Sequence, residues 1–564
     1  MTALASDNLQ LLADAPGGVG ALRRLILDLA VSGRLVAQDP ADDSVEVLIS
    51  QVVSRKASVG GSRKEKLKAR AAVAPSKNTL PPGWVQMRLG DLTTKLGAGS
   101  TPLGGKQVYV AEGVMFLRSQ NVWNDGLRLG DVARIPTSIH REMAGTHVFS
   151  GDLLFNITGA SIGRCAAVPS HFDGGNVSQH VVIVRPALLE LQAYLHKVLI
   201  SDLVQDAVMA EQVGVSREGL SVAKLSEFAI PLPPLGEQHR IVAKVDELMA
   251  LCDRLDSRQQ DAEAAHARLV QVLLDSLTQA RDADEFQACW RRLAGQFPLL
   301  FTTETSVESL RRTSIQLAVR GLLCETGPSD AHATALINSI AASRAQAWRA
   351  GLAPKPKPFS QVDGEEMPHR LPLGWSWVRL GQLGVASTGS TPVTTQTDAF
   401  DGPTPFIGPG QITPGGVISS GEKSLSDTGL ASSTVARPGD LLMVCIGGSI
   451  GKCAIADRVL AFNQQINSLS VFEASPHFVF LVMCSPEFQQ AVLGAATGSA
   501  TPIINRSKWE DIPVPLPPLA TQHRIVAKVT ELLALCDQLK ASIAAARAKH
   551  VQLAEALVAQ AVAG

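Results

Sequence analysis

Aromatic residues are scarce: Phe, Trp and Tyr make up 4% of the 564 residues, and only two are Tyr. With hydrophobic residues at 45% overall, the apolar content is aliphatic, which suits folded, partly helical domains and excludes an extended disordered chain. The eight cysteines are scattered without a CxxC pair, so neither a zinc site nor a disulfide framework is expected to organise the fold. Charge of one sign is missing as well. Lys and Arg number 51 against 52 Asp and Glu, a formal net charge of -1, whereas a dedicated nucleic-acid binder often carries a basic excess. Contact with a polyanion would have to be local or be supplied by a partner. No apolar run approaches the roughly 18 residues of a membrane span, and no opening stretch joins a basic region to an apolar one. The chain is therefore expected in the cytoplasm and off the membrane.

Catalytic motifs are also missing. Gly447-Gly-Ser-Ile-Gly-Lys452 has Ile446 where a phosphate loop needs its first glycine and Cys453 where it needs Ser or Thr, and its sister stretch ends in Arg164. Gly97-Ala-Gly99 is too short for a dinucleotide fingerprint, and no HExxH occurs. His239 and His523 recur inside QHR with no acidic partner or nucleophile travelling with both; a hydrogen-bonding role at a helix entry is the expectation. The residues describe a binder, with no catalytic or metal site.

What the sequence does contain is a duplication. Pro231–Leu255 and Pro515–Leu539 match at 20 of 25 positions. In each copy paired prolines hold an extended approach, and a helical pattern begins directly after them. Ile241, Val245, Leu248, Cys252 and Leu255 recur at alternating steps of four and three, and Ile525, Val529, Leu532, Cys536 and Leu539 repeat them. A 3.5-residue period is a coiled-coil seam, although an ordinary amphipathic surface helix would show a similar stripe. The first helix is expected to run from about Gly236 towards Leu274 and to weaken near Arg281.

Other elements are doubled too. Leu22, Arg23, Arg24, Leu29, Ala30, Val31 and Gly33 match Leu310, Arg311, Arg312, Leu317, Ala318, Val319 and Gly321. LPPGWVQMRLGDL at Leu80 matches LPLGWSWVRLGQL at Leu371, and GDLLFNITGASIGRCAAV at Gly151 matches GDLLMVCIGGSIGKCAI at Gly439, read as two strands around a glycine turn. The basic run Arg55, Lys56, Arg63, Lys64, Lys66, Lys68 and Arg70 reads as a solvated linker or a phosphate contact. The expected order is an N-terminal helical segment and basic linker (1–78), a globular unit (79–235), a central helix (236–281), a helical connector with the second copy of the N-terminal element (282–365), a second globular unit (366–519) and a C-terminal helix (520–564). The fold class is α+β: two mainly-β or mixed units joined by long helices in an antiparallel coiled coil, as an internal pseudo-twofold tandem repeat. Between shared landmarks the units disagree, as at Arg118–Trp123 against Gly408–Thr413 and at Val213–Arg217 against Ile503–Arg506. Divergent loops on one framework carry different binding specificities, and neutral drift of surface loops produces the same pattern.

The LAV-x-G elements at Leu29 and Leu317, the GW-x-x-x-RLG openings at Gly83 and Gly374 and the two PLPPL-x-x-QHRI-x-x-K helices together closely resemble the specificity subunit of type I restriction-modification systems, from about Leu22 to the C-terminus. The resemblance implies two target-recognition domains, each reading one part of a bipartite double-stranded DNA sequence. It also implies that methylation and cleavage belong to partners: two modification subunits docked on the helices and a motor-nuclease restriction subunit. S-adenosylmethionine, ATP and Mg would be held by those partners and no cofactor by this chain. The candidates for base contact are polar residues of the divergent loops, because amides pair with adenine and guanidinium with guanine. They are Arg118, Gln120, Asn121, Ser178, Gln179 and Arg217 in the first unit and Gln411, Gln464, Gln465, Thr501, Asn505 and Arg506 in the second. The segment from Asp282 to about Gly364 departs from shorter relatives in length. On the residues alone two other classes stay open: a duplicated protein-binding scaffold, and an enzyme (nuclease) with an unrecognised active site, although the matched acids Asp152 and Asp440 each open a strand, where turn formation explains an aspartate.

Overall fold

In the computed structural model, which describes residues 15–59, 80–211, 219–280, 283–327, 330–393, 395–421, 423–498 and 501–563, each PLPPL approach begins as a strand. Ala229–Leu232 pairs antiparallel with Val85–Arg88, and Pro513–Leu516 with Ser376–Arg379. The two-stranded ladders tolerate Pro231 and Pro515 because each proline occupies a strand with one neighbour only. Immediately after them run helices Leu235–Thr278 and Leu519–Ala563. Their entry is held by an amide and not by the histidines: Gln238 Nε2 donates to the Pro233 carbonyl and Gln522 Nε2 to that of Pro517, both at 2.9 Å. His239 and His523 are exposed, because the residue before each histidine faces the core and the histidine itself is turned about 100° away along the helix. Arg240 grips Asp42 through both guanidinium nitrogens at 2.9 and 2.6 Å, and Arg524 pairs in the same way with Asp330.

The chain divides into two compact units, Met1–Asp261 with Ala546–Gly564 and Ala262–Ala545. In the first, an antiparallel sheet has the order Thr93–Ala98, Val181–Pro186, Leu153–Asn156, Cys165–Ala167. A second sheet runs Ala133–Ile135, Val114–Leu117, Gly175–Val177, His147–Val148, with Gly175–Val177 parallel to Val114–Leu117. The second unit repeats both orders. Gly384–Thr388, Ile466–Val471, Leu441–Val444, Cys453–Ile455 form one sheet, and Lys423–Leu425, Phe400–Ile407, Leu460–Phe462, Val435–Ala436 the other, again with one parallel pair. The GD-LL segments are the central strands of these sheets, as their unbroken burial requires. Asp152 and Asp440 shape the turns before them. Asp152 accepts from the Phe149 amide at 2.8 Å and pairs with Arg185 at 2.7 Å, and Asp440 accepts from the Arg437 amide at 2.7 Å. The matched acids of the nuclease alternative are therefore committed to backbone geometry. Among the described residues no group of three or more His, Cys, Asp or Glu could hold a metal ion.

The doubled N-terminal element explains its own conservation of pattern between copies. Helix Gly18–Val31 lies against the first long helix, where Arg23 pairs with Asp253 and Asp256 at 2.7 and 2.8 Å; in helix Glu304–Val319, Arg311 pairs with Asp537 at 2.7 Å. The glycine ending each element has a positive φ, +70° at Gly33 and +77° at Gly321, and a Cβ there would stand 2.4 Å from Pro81 Cγ or 2.5 Å from Pro372 Cγ. Trp84 and Trp375, the tryptophans of the two GW openings, pack beside these glycines. LAV-x-G and LP-x-GW are thus two halves of one close contact, which only glycine admits.

Seam residues Ile241, Val245, Leu248 and Cys252 are buried and Leu255 is half-buried in the first unit's core, which also contains Ala554, with Leu557 and Val558 packed on it. In the second unit Ile525 and Val529 are buried against the recognition sheet's core, Leu532 is half-buried, and Cys536 shares a cluster with Val270, Leu274 and Leu277, flanked by Leu539. The opening turns of each seam therefore pack into their own unit's core, a demand that a helical stripe alone does not distinguish from a helix partner. Lys56 closes another question: its ammonium donates to the carbonyls of Gly90 and Asp91 at 2.8 and 3.1 Å, while Arg63, Lys64, Lys66, Lys68 and Arg70 lie outside the described residues. Among the described residues no single helix is long and apolar enough to cross a membrane; the bent pair Pro476–Cys484 and Pro486–Ala495 has that composition and places Phe478, Met483, Phe488 and Val492 in the core.

One strained group gives a pH-dependent expectation. Burial, with Asp202 and Asp206 nearby, pushes the Asp28 carboxyl up to about 6. In the unfolded chain this proton leaves near pH ~4. The group therefore stabilises nothing above that point: it costs stability progressively as pH rises from about 4 to about 6, and fully beyond. Asp28→Asn is expected to stabilise the first unit at pH 7.5 by about 1 kcal/mol, allowing for solvent screening, and to change little below pH ~4. Urea unfolding at the two pH values measures this, and an equal gain at both would contradict it.

Candidate nucleic-acid interface

Four segments of the first unit converge on one cleft. It is lined by Ser119, Gln120, Trp123, Thr158, Gly159, Ala160, Ser161, Arg164 and His180. They come from the turn after Val114–Leu117, the Val122–Trp123 strand, the glycine turn between Leu153–Asn156 and Cys165–Ala167, and the loop before Val181–Pro186. Asn156, fully buried, ties two walls together: its Nδ2 donates to the Ser119 carbonyl at 2.8 Å and to Ser161 Oγ at 3.1 Å. His180 Nδ1 is 2.6 Å from Thr158 Oγ1, and its Nε2 is 3.1 Å from Gln179 Nε2. Thr101 donates to Gln179 Oε1.

Of the sequence candidates, Gln120 lines the cleft and exposed Gln179 adjoins it through His180. Arg118 is half-buried, its guanidinium 5.9 Å from the Tyr109 ring centre and its Nε buried without a partner. Asn121 must be corrected. It is 2% exposed, accepts from the Arg118 amide at 3.0 Å and donates to the Arg128 carbonyl at 2.8 Å, so its amide holds the turn from beneath the surface. Ser178 is corrected as well: at 4% exposure, with a buried Oγ, it lies beneath the surface. Arg217 falls outside the described residues.

In the second unit Gln464 is exposed and accepts from Thr391 at 2.8 Å, the same arrangement as Gln179 with Thr101. Half-buried Gln465 accepts from Asn463 Nδ2 at 3.1 Å. Gln411 repeats the role of Asn121, its Oε1 accepting from the Gly408 amide at 2.9 Å. Thr501 is exposed, next to Pro502, whose carbonyl accepts from Gly447 of the glycine turn at 2.9 Å. Asn505 caps the helix Arg506–Glu510 by accepting from the Lys508 amide at 2.9 Å, and exposed Arg506 lies 3.6 Å from Glu510. The register between the units also shifts here. Leu220 donates to Ile157 as Ile504 donates to Cys445, so the counterpart of Asn505 is the capping Ser221, and Arg217 does not correspond to Arg506.

Trp123, Thr158, Arg164 and His180 were not among the sequence candidates. A signal for one of them was present: Arg164 and Lys452 put a basic residue at the same place in both glycine turns.

A family model described as the type I restriction modification DNA specificity domain matches the chain twice, over residues 81–264 and 372–546. The chain is 27% identical over 574 residues to the type I restriction enzyme EcoEI specificity subunit of Escherichia coli, covering 96% of this chain and 93% of that one. It is 28% identical over 582 residues to the EcoAI specificity subunit of Escherichia coli, with the same coverage of 96% and 93%. Among solved structures, the HsdS subunit of Thermoanaerobacter tengcongensis aligns with a TM-score of 0.41 at 19% identity, covering 87% of this chain and 100% of that one. A chain from a type I R-M system solved for its complex assembly and conformational transition aligns with a TM-score of 0.49 at 20% identity, covering 86% and 99%. Matched twice by the family model across more than half its length, the chain belongs to the type I restriction-modification DNA specificity family, whose members serve as the non-catalytic, target-specifying subunits of their complexes.

Proposed function

We propose that each unit reads one half of a bipartite double-stranded DNA target, and that the two long helices pair as an antiparallel coiled coil that joins the units and docks two modification subunits. A restriction subunit completes the assembly, which works in the cytoplasm. S-adenosylmethionine, ATP and Mg belong to those partners. The observation that carries this reading is one frame with two linings. The sheet orders, the Thr–Gln pair and the Asn or Gln turn holder recur, while Trp123, Arg164 and His180 of the first cleft stand where the second unit has Thr413, Lys452 and Gln465. A common scaffold with divergent polar walls suits recognition of two different base sequences. The helix pairing is supported by Ala554 in the core that holds Leu248 and Cys252, and by Cys536 in the cluster that holds Leu274 and Leu277. For base contact the proposal retains Gln120 and Gln179 in the first unit and Gln464, Gln465, Thr501 and Arg506 in the second.

With a net charge of -1 the chain has no overall basic excess to supply the phosphate contacts that dominate DNA affinity. Purified chain is expected to bind target duplex weakly and neither to methylate nor to cut it. Addition of the modification subunit should tighten binding at least about tenfold, roughly 1.4 kcal/mol, and confer methylation when S-adenosylmethionine is supplied. Methyl transfer or cleavage by the chain without another polypeptide would overturn the proposal.

A further inference from the structure

The first unit's cleft holds one arrangement that the second unit's sequence does not repeat. The Arg164 guanidinium carbon lies 3.7 Å from the centre of the Trp123 ring. The indole is itself fixed, its Nε1 donating to the Gln120 carbonyl at 2.9 Å. A half-buried arginine laid against an aromatic face keeps its planar fork of donors pre-oriented and has less rotamer freedom to lose on binding. The carbonyls of Arg164 and Lys452 accept from Asn156 and Val444 at 2.8 Å each, so Lys452 occupies the equivalent place in the second unit. There Thr413, two residues beyond the turn holder Gln411, replaces Trp123, two beyond Asn121. Lysine is a point charge without a fork, and threonine offers no ring to stack on.

Resting on the proposed reading of DNA by each unit, we propose that Arg164, held on Trp123, reads a guanine in the half-sequence of the first unit, while Lys452 contacts phosphate and reads no base. Guanine alone among the bases presents two acceptors, O6 and N7, in the major groove, which a guanidinium engages together. The test uses the assembled complex with its modification subunits, and duplexes carrying each of the four bases in turn at every guanine position of the first half-sequence. Arg164→Ala is expected to lower discrimination at one such position from roughly ten- to hundredfold to within about threefold, with the second half-sequence still required. That retained requirement reports a folded complex. Trp123→Ala, which leaves the arginine but frees it, should relax the same position partway and no other. Lys452→Ala should slow methylation of all targets alike. Undiminished discrimination in Arg164→Ala, equal slowing on every duplex, or a first half-sequence lacking a G·C pair would each overturn the assignment alone. A parent complex that required neither half-sequence would overturn the proposed function together with it.

Discussion

Four helix-forming residues inserted into each long helix are expected to keep both recognised half-sequences and lengthen the spacer between them by one or two base pairs. Four residues extend a helix by about 6 Å and turn it by about 400°, only some 40° from its starting phase. One base pair is about 3.4 Å of duplex, turned by roughly 34 to 36°. The place of insertion decides whether the test is clean. Near Asp275 the neighbours Leu274 and Leu277 are buried in the second unit's core, so extra residues there would break packing. Of residues 257–269 only Gln259 and His266 are not exposed, and 544–550 are exposed throughout. Insertions in these stretches leave both cores intact. Two residues instead of four would turn the following segment by about 200° and should abolish methylation. If the helices are the proposed ruler, methylome mapping shows the longer spacer; an unchanged spacer with full activity would mean that something else sets it.

The duplicated helices, the GD hairpins and the LAV-x-G element were legible in the sequence because each rests on local backbone chemistry: proline before a helix, aspartate at a strand-opening turn, glycine at positive φ. The partner of that glycine was not legible, since Pro81 and Trp84 reach Gly33 only through the fold. Candidate site residues fared according to the same rule. Gln120 and Gln179 were reachable from loop divergence and polarity, but Asn121 and Ser178, equally polar and equally divergent, are buried. A polar side chain that satisfies a turn cannot be told from one that faces a ligand until its burial is known. Arg164 and Trp123, far apart in sequence, meet because a glycine turn and a two-residue strand are brought together by neighbouring strands of the fold. The QHR histidines misled for another reason: the repeat drew attention to the histidine, while the buried glutamine beside it makes the bond.

Exchange of a whole recognition segment should have the largest effect of all. The segment enters and leaves the first unit on paired strands, with Val85 opposite Leu232, and the second unit does the same with Ser376 opposite Leu516. Ends that lie side by side make a segment replaceable without redrawing the rest of the unit. Each good base contact discriminates by about 1 to 3 kcal/mol, so a half-sequence read through several contacts should switch by orders of magnitude. The most direct measurement is methylation sequencing of genomic DNA from cells that express the modification subunit with a chimera in which residues 80–230 come from a relative of different specificity. The account predicts a bipartite motif with one half-sequence replaced by the relative's and the other half unchanged. Alteration of both halves, or of neither, would contradict it.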